Sequence, residues 1–276
     1  MTLIVTVVTA AKVVQASDRR LTRSDGTIYS DKANKVVVVN CQDARFAIGY
    51  TGVGLLNSKR TDEWLVDYLT DIHAAHMDIR SIGTSLIENL SMLYRHQSNR
   101  EMIPLSFILC GYISDLPFAI LISNFERWNP QINGPPQPKF HGEYAIMKEN
   151  YNPKQFLGLC INGSELALTG EISHKLKRLR KKRFFQNETA GIIASRLVNV
   201  IREASRAPNH GKYIGRDCMT VVISRNLSED IVCEYHPEGE SLMRYAPHII
   251  HRMDSISISM KHIEIEGNMG VSALMR

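Results

Sequence analysis

The sequence predicts a single α+β domain with a four-layer αββα architecture, in which two antiparallel sheets lie between two pairs of helices. Two observations predict it. Strand-like and helical runs follow one another in the order strands, two helices, strands, two helices, strands. Each helical run carries one apolar stripe, which such helices bury against one face of a sheet. Two pairs can therefore cover the two outer faces of a sheet sandwich.

Short runs rich in β-branched and aromatic residues predict the strands. In chain order they cover residues 3–8, 12–17, 35–40, 45–51, 105–113, 118–125, 140–147, 156–162, 218–224 and 231–235. Residues 9–11 are typical of a hairpin between the first two strands, and residues 24–26 of a turn before the third. The segment 129–138 is predicted to be a loop, because its four prolines cannot donate to a sheet ladder.

Apolar residues at helical spacing predict four helices. We expect Thr61 to cap the first and Asn187 to cap the last, which covers about residues 188–205. The third is expected near residues 165–183. Buried positions are expected at Trp64, Leu65, Tyr68, Leu69 and Ile72 in the first helix, at Ile82, Leu86, Leu90 and Leu93 in the second, and at Ile193, Leu197, Val200, Ile201 and Ala204 in the last.

The composition indicates a folded chain with a sizeable core. Of 276 residues, 44% are hydrophobic and 22% are charged. We expect one domain over residues 1–276, with its core at about 2–235 and a C-terminal extension at 237–276. No apolar stretch approaches the roughly 18 residues of a membrane span. The N-terminus also lacks the basic segment and cleavage site of a signal peptide. A cytoplasmic protein without membrane contact is therefore expected.

The cysteines and histidines do not form a metal-binding pattern. The five cysteines are widely spaced, with no CxxC pair, and indicate free thiols in a reducing compartment. His73 and His76 lie three positions apart on a predicted helix but have no third ligand nearby. The sequence therefore predicts neither a metal nor a cofactor.

The net charge of +5 is spread along the chain, apart from one basic run at residues 174–183. Leu176 and Leu179 lie three apart within this run, so one helix face can still be buried. We interpret the run as a solvated helix at a subunit rim, with an acidic-partner or nucleic-acid patch as the alternative. Because no aromatic residue is interleaved, we expect no nucleic-acid partner.

Thr2 is the candidate nucleophile. If Met1 is removed, Thr2 becomes the N-terminus and carries a hydroxyl and a free α-amine on one residue. Such a pair is a nucleophile with its own base. An α-amine has a reference pKa of roughly 7.7–8.0, so a useful fraction is neutral near pH 7 and can take the hydroxyl proton. The alternative is that Thr2 is the ordinary second residue of a cytosolic protein.

Three more positions support the catalytic interpretation. Asp18 follows Thr2 by sixteen positions and opens an Asp-Arg-Arg segment. Lys35 precedes a run of valines, and Gly52 closes a threonine–glycine turn before the first predicted helix. In this order the positions resemble proteasome-type β subunits, which are N-terminal-nucleophile hydrolases, and their bacterial two-ring relative. The resemblance covers about residues 2–235 and is clearest over the first 55.

The resemblance implies a role for each of these residues. Thr2 would attack an amide carbonyl and carry the acyl group. The Lys35 ammonium would lower the pKa of the α-amine by like-charge repulsion and favour the developing alkoxide. Asp18 would keep Lys35 charged and oriented, and the Gly52 N–H would donate to the tetrahedral oxyanion. Lys32 is the alternative for the lysine, and Asp18 is alternatively the end of a strand in a turn.

The later part of the chain matches the family less closely. The segment 161–164 resembles a Gly-Ser segment whose serine hydrogen-bonds near the threonine amine, which makes Ser164 the candidate, with a helix N-cap as its alternative. The family then carries an aspartate and a serine before the next strand. Here Ile214 stands at the serine position, and Asp217 could supply the carboxylate only by a local shift.

The family pattern also implies a substrate pocket lined by Leu21, Ala33, Tyr50 and Gly54. No charged residue is among the four, so a charged substrate side chain would lose hydration there without gaining a partner. We therefore expect cleavage after small or medium apolar residues. Tyr50 either fills the base of this pocket or points into the sheet core.

Finally, the resemblance implies peptide or unfolded-protein substrates and a homo-oligomeric ring with inward-facing sites. An ATP-dependent unfoldase is a candidate partner. Two other functions stay open. One is an amidase acting on a small acyl-amide, which an open small pocket would favour over a sealed chamber. The other is a subunit that kept the fold and lost the reaction, which the missing aspartate and serine would allow.

Overall fold

The structure of the protein is a computed structural model. It describes residues 2–23, 27–95, 103–128, 134–146, 158–163, 172, 174, 176, 188–208, 211–226, 228–238, 243–245, 248–253, 256–259, 264–266 and 273–275. Within these ranges the chain combines strands with three continuous α-helices and a few helical residues near position 174, and no helix there is long and apolar enough to cross a membrane.

The mixed α and β character predicted from the sequence is confirmed, with a strand at each of the ten predicted positions. The strands are β1 (Leu3–Val8), β2 (Lys12–Asp18), β3 (Leu21–Thr22), β4 (Ile28–Ser30), β5 (Val36–Asn40), β6 (Ala44–Gly52), β7 (Leu55–Leu56), β8 (Lys59–Arg60), β9 (Leu105–Ile113), β10 (Leu116–Ser123), β11 (His141–Ile146), β12 (Gly158–Gly163), β13 (Cys218–Ser224), β14 (Ile231–His236), β15 (Met243–Tyr245), β16 (His248–Met253), β17 (Ile256–Ser259), β18 (Glu264–Glu266) and β19 (Ala273–Met275). The helices are α1 (Thr61–Asp71), α2 (Ile79–Arg95) and α3 (Ala190–Ala204), with 3₁₀ turns at Ala74–His76 and Gly211–Tyr213.

A six-stranded sheet has the order β12-β1-β2-β13-β14-β19, and all its neighbours are antiparallel. β1 is an interior strand, with Leu3 opposite Gly163 on β12 and Ile4 opposite Ser17 on β2. Because the backbone of β1 is hydrogen-bonded on both sides, the residue immediately before it, Thr2, has a fixed place at the edge of the ladder.

A seven-stranded sheet has the order β11-β10-β9-β6-β5-β16-β17. Its neighbours are antiparallel except β5 and β16, which run parallel. The prediction of purely antiparallel sheets is therefore wrong at this pair. Parallel neighbours need a long crossover connection, and the chain between β5 and β16 supplies one.

The residues after 237 contribute strands to both sheets, which the sequence analysis did not predict. β16 and β17 extend the seven-stranded sheet, and β19 extends the six-stranded sheet beside β14. Shorter two-stranded pairs are formed by β15 with β18, β3 with β4, and β7 with β8.

The buried apolar side chains form three clusters. One contains helix residues of α1 and α2 with residues of the seven-stranded sheet, and the second contains α3 with residues of the six-stranded sheet. The third contains side chains of both sheets, such as Ile4 and Val13 with Val38 and Ile108. Since both faces of β1 are buried, its sequence is apolar almost throughout rather than alternating.

The helix starts differ from the predicted caps. The N-cap of α1 is Arg60, and Thr61 is instead the first helical residue, whose hydroxyl donates to the carbonyl of Val53 at 2.8 Å. α3 is capped by Thr189 rather than Asn187, because the Thr189 side chain reaches the N–H of Ile192.

Most of the predicted third helix, and with it most of the basic run, lies outside the described residues. Residues 172, 174 and 176 are helical. Leu176 is buried in the cluster that contains α3, and His174 is exposed. All five cysteines have free thiols.

Candidate active site

Thr2 lies between the ends of β2 and β12 and is only 3% exposed. The next residue, Leu3, donates its backbone N–H to Oδ1 of Asp18 at 2.9 Å. On the other side is Gly163, which has a φ of +102°. A β-carbon at Gly163 would lie 1.9 Å from the Thr2 carbonyl oxygen, so this close approach requires glycine.

Lys35 contacts the Thr2 hydroxyl directly. Its Nζ donates to Thr2 Oγ1 at 2.5 Å, to Asp18 Oδ2 at 3.0 Å and to the backbone carbonyl of Arg20. An ammonium has three N–H donors and no acceptor, so three oxygen partners match its protonated form. Lys35 is fully buried, whereas Lys32 is exposed. The structure therefore brings Lys35, and not Lys32, against Thr2.

Asp18, the last residue of β2, accepts hydrogen bonds from several parts of the site through both carboxylate oxygens. Besides Leu3 and Lys35, it accepts backbone N–H groups from Arg20 and Gly215, each at 3.0 Å. It is fully buried. A buried charge requires such partners, because it has lost its water. Asp18 therefore both binds the backbone of the turn after β2 and contacts Lys35.

Two opposing effects act on the Lys35 charge. Burial lowers the pKa of Lys35 from its ordinary value, and the neighbouring Asp18 carboxylate opposes this. The net direction is downward. Lys35 therefore loses its proton more readily than an exposed lysine does.

Gly52 ends β6 in a conformation that requires glycine. Its φ is +104°, and a β-carbon there would lie 1.9 Å from the carbonyl oxygen of Pro104. The residue before it, Thr51, donates its hydroxyl to Oδ1 of Asn162 at 2.6 Å. Asn162 is the neighbour of Gly163 on β12, so this bond links the Gly52 turn to the strand that holds Thr2. Ser164 lies outside the described residues.

The segment expected to carry the family aspartate and serine contributes a backbone N–H to the site instead of those two side chains. Asp217 is bound elsewhere, accepting from the Tyr235 hydroxyl at 3.0 Å and from the Glu238 N–H at 2.7 Å. Ile214 is buried in the apolar cluster around α3. Between them, Gly215 gives its backbone N–H to Asp18. The local shift that would bring the Asp217 carboxylate to the site is therefore absent from this described segment.

Of the four predicted pocket residues, Leu21, Ala33 and Tyr50 are buried and Gly54 is partly exposed. A β-carbon at Gly54 would lie 3.4 Å from Leu21, which places these two side by side. Ala33, two positions before Lys35, is fully buried. Tyr50 belongs to the cluster that contains α1 and α2, with its ring 6.4 Å from that of Phe107. Burial raises the pKa of Tyr50 well above its usual value, so its ring carries no charge.

Sequence reasoning missed Arg19 as a part of the site. Its guanidinium is almost fully buried and donates to the backbone carbonyls of Ala33 at 3.3 Å and Lys32 at 2.9 Å. It also lies 4.9 Å from the ring centre of Tyr235. These contacts fix the segment that leads to Lys35. Two consecutive arginines directly after a buried strand were the only signal in the sequence. The second, Arg20, pairs with Asp31 at 2.6 Å, as a structural residue would.

No protein-family model and no curated protein sequence matches the chain. Among solved structures, a Gly-1 mutant of Anbu from Hyphomicrobium sp. strain MC1 is 13% identical, over 81% of this chain and 82% of that chain, with a TM-score of 0.52. Anbu from Yersinia bercovieri, described as an ancestral β-subunit, is 12% identical over 80% of each chain, with a TM-score of 0.48. Eukaryotic HslV from Trypanosoma brucei is 15% identical over 80% of this chain and 99% of that chain, with a TM-score of 0.42. The first of these shows a shared fold, so the predicted resemblance is confirmed at the level of the fold.

Proposed function

From this proteasome-like fold, we propose that the chain is an N-terminal threonine hydrolase that cleaves peptide amide bonds through an acyl-enzyme on Thr2. One observation carries the proposal, namely the 2.5 Å contact between the Thr2 hydroxyl and the buried Lys35 ammonium. A lone surface threonine would have no such partner. Peptide hydrolysis by the wild-type chain and by a Thr2→Ala variant tests the proposal.

The proposed reaction starts with removal of Met1. The freed α-amine takes the hydroxyl proton as Thr2 Oγ forms a bond to the substrate carbonyl carbon. The carbonyl electrons become an oxyanion that accepts the Gly52 N–H. Collapse breaks the C–N bond, and the amine returns the proton to the leaving nitrogen. Water then attacks the ester in the same way, which releases the acid and restores Thr2.

Lys35 supports this reaction in two ways. Its charge beside Oγ stabilises the negative charge that develops there during attack. The α-amine of Thr2 belongs to the same residue as this Oγ and is therefore also near the Lys35 charge. Like-charge repulsion keeps more of that amine in the neutral, basic form. Asp18 holds the ammonium in place and is itself held by three backbone N–H groups.

We further infer one domain over the whole chain, arranged as four layers. Two observations support this order of layers, helices–sheet–sheet–helices. One apolar cluster lies between the two sheets, and each sheet shares a further cluster with helices. By analogy with the family that the chain resembles, we also propose that the protein forms a homo-oligomeric ring in the cytoplasm with its sites facing inward. Its substrates would be unfolded proteins, and its partner would be an ATP-dependent unfoldase. The Ser164 hydroxyl is proposed to lie near the amine.

A second candidate function is a proteasome-like subunit without activity. Asp217, the nearest replacement for the family aspartate, is bound to Tyr235 and Glu238 instead of the site. The buried Ile214 carries no polar group. In this case the Thr2, Lys35 and Asp18 contacts would stabilise the fold alone, and wild-type protein would show no cleavage that depends on Thr2.

The proposed pocket predicts specificity for the residue before the cleaved bond. Fluorogenic peptide amides with alanine, valine or leucine there should be cleaved at least about 100-fold faster in kcat/KM than those with arginine, lysine or glutamate. The reason is that a charged side chain would be buried beside Leu21, Ala33, Tyr50 and Gly54 without a partner. A panel of peptides that differ only at this residue measures the ratio.

A preference for the basic or acidic peptides would show that the pocket is lined by other residues. Turnover of small acyl-amides without turnover of any peptide in the panel would instead favour the amidase.

A further inference from the structure

Glu126 is a buried carboxylate near Thr2 that the proposed mechanism does not use. It follows β10 and is 8% exposed. A turn holds its backbone, because the N–H groups of Phe125 and Glu126 donate to Ser123 Oγ at 3.1 and 2.8 Å. The backbone carbonyl of Glu126 lies 2.8 Å from Nε2 of His141.

The two carboxylate oxygens of Glu126 bind different parts of the site. Oε1 accepts the backbone N–H of Gly163 at 3.1 Å. Gly163 is the residue packed against the Thr2 carbonyl, and Ser164 follows it directly in sequence. Oε2 accepts the hydroxyl of Ser106 on β9 at 2.8 Å.

The second bond continues towards Gly52. Ser106 Oγ accepts from Nδ2 of Asn162 at 2.9 Å, and Oδ1 of Asn162 accepts from the Thr51 hydroxyl at 2.6 Å. Ser106, Asn162 and Thr51 are all buried. Since Thr51 directly precedes Gly52, the chain of bonds ends at the proposed oxyanion donor.

These bonds cross from one sheet to the other. Asn162 and Gly163 belong to β12 in the six-stranded sheet, which also contains β1, the strand that follows Thr2. Thr51 and Ser106 belong to the seven-stranded sheet. The ladder within a sheet fixes distances inside that sheet only. Together with the apolar cluster between the sheets, side-chain bonds from one sheet to the other therefore help to fix the distance from Thr2 to Gly52.

A carboxylate also sets the direction of every bond in the network. An ionised carboxylate only accepts, so Ser106 must donate to Glu126 and can then accept from the Asn162 amide. This leaves the Asn162 oxygen for Thr51. A neutral amide at position 126 would offer Ser106 a donor and disturb this order, and partly satisfied buried networks are costly.

We propose that Glu126 is a positioning residue of this active site. It holds Gly163 against Thr2, and through Ser106 and Asn162 it holds the turn at Gly52, so that nucleophile and oxyanion donor keep their separation. This inference rests on the proposed function.

A Glu126→Gln variant tests the inference, with Glu143→Gln as the matched control. Glu143 is also a partly buried carboxylate that accepts a backbone N–H, that of Trp128 at 2.7 Å, and pairs with Arg127. We expect Glu126→Gln to lower kcat about 10- to 100-fold with KM changed less than about two-fold, because misplaced groups slow the chemical step rather than binding. Glu143→Gln should keep wild-type kcat.

Two more measurements separate positioning from general stability. Combining Glu126→Gln with Asn162→Ala should lower kcat little further than Glu126→Gln alone, because both break one network. Should Glu126→Gln fail to fold, Ser106→Ala removes one link with the carboxylate intact and should lower kcat in the same way. A wild-type kcat in Glu126→Gln would overturn the inference. If Glu126→Gln does not fold, a wild-type kcat in folded Ser106→Ala would overturn it. Neither result would contradict the proposed function.

Absence of any Thr2-dependent hydrolysis in the wild-type chain would instead refute the proposed function. Amide hydrogen exchange then decides the inference, since it needs no activity. Faster exchange at Gly163 and Gly52 in Glu126→Gln than in Glu143→Gln supports the network, and equal exchange in the two variants overturns it.

Discussion

A Thr2→Ala variant is expected to lose peptide hydrolysis by at least about 10,000-fold while it stays folded. The substitution removes the hydroxyl that Lys35 contacts. Alanine is as permissive as threonine for Met1 removal, so both proteins present the same α-amine. The free energy of unfolding should change by only about 1 kcal/mol, because Lys35 keeps its other two acceptors. Cleavage of a fluorogenic peptide and urea unfolding measure the two effects.

Thr2→Ser is the matched control for this experiment. It keeps a hydroxyl beside the amine and should retain measurable activity. Near wild-type hydrolysis by Thr2→Ala would place the reaction at another residue and would contradict the proposed mechanism.

Replacement of Lys35 is expected to have the second largest effect. Lys35→Ala should lower kcat by about 1,000-fold or more, since the charge at the developing alkoxide is lost. It also leaves the buried Asp18 carboxylate without its cation, and removing one partner of a buried pair costs about 3–5 kcal/mol. Lys35→Arg keeps the charge, but a planar guanidinium cannot place a compact cation at Oγ, so kcat should also fall. Asp18→Asn should lose most of the activity.

An exposed lysine provides the control for Lys35. Lys59 pairs with Asp67 at 2.7 Å on the surface, and Lys59→Ala should leave kcat unchanged. Activity of Lys35→Ala equal to that of Lys59→Ala would show that Lys35 serves the fold alone.

The pH profile reports on the same group. In wild-type protein, kcat/KM should rise as the α-amine loses its proton, at roughly pH 7.7–8.0 or below. It should fall again as Lys35 loses its proton, at a pH below the ordinary lysine value of 10.5, because burial lowers the Lys35 pKa. In Lys35→Arg the falling limb should disappear, since arginine stays charged.

The sequence predicted the ten long strands and the first, second and last helices because their apolar patterns are local. β1 is the clearest case, since Leu3 and Ile4 are both buried, on opposite faces of the sheet, and the whole run is apolar. Thr2, Asp18 and Lys35 were singled out by spacing near the N-terminus, and the structure brings the three together.

Contacts between distant segments could not be predicted in the same way. Glu126 meets Gly163 only because β10 and β12 end at the same place in the fold. The N–H of Gly215 reaches Asp18 although the two lie far apart in sequence. The donor is a backbone N–H, which every residue type except proline supplies, so the residue type at position 215 does not indicate this contact. The parallel pairing of β16 with β5 likewise depends on the path of a long connection and not on a local pattern.

The mass of the N-terminal peptide tests the central claim most directly. Purified wild-type chain would be treated with a β-lactone, which acylates a nucleophilic hydroxyl and stays attached, and then digested and fragmented. The account predicts a peptide that begins at Thr2, lacks Met1, and carries the acyl group on Thr2 rather than on Thr6 or Thr9. Met1 retained on the folded protein, or an unmodified Thr2 beside acylation elsewhere, would contradict the account.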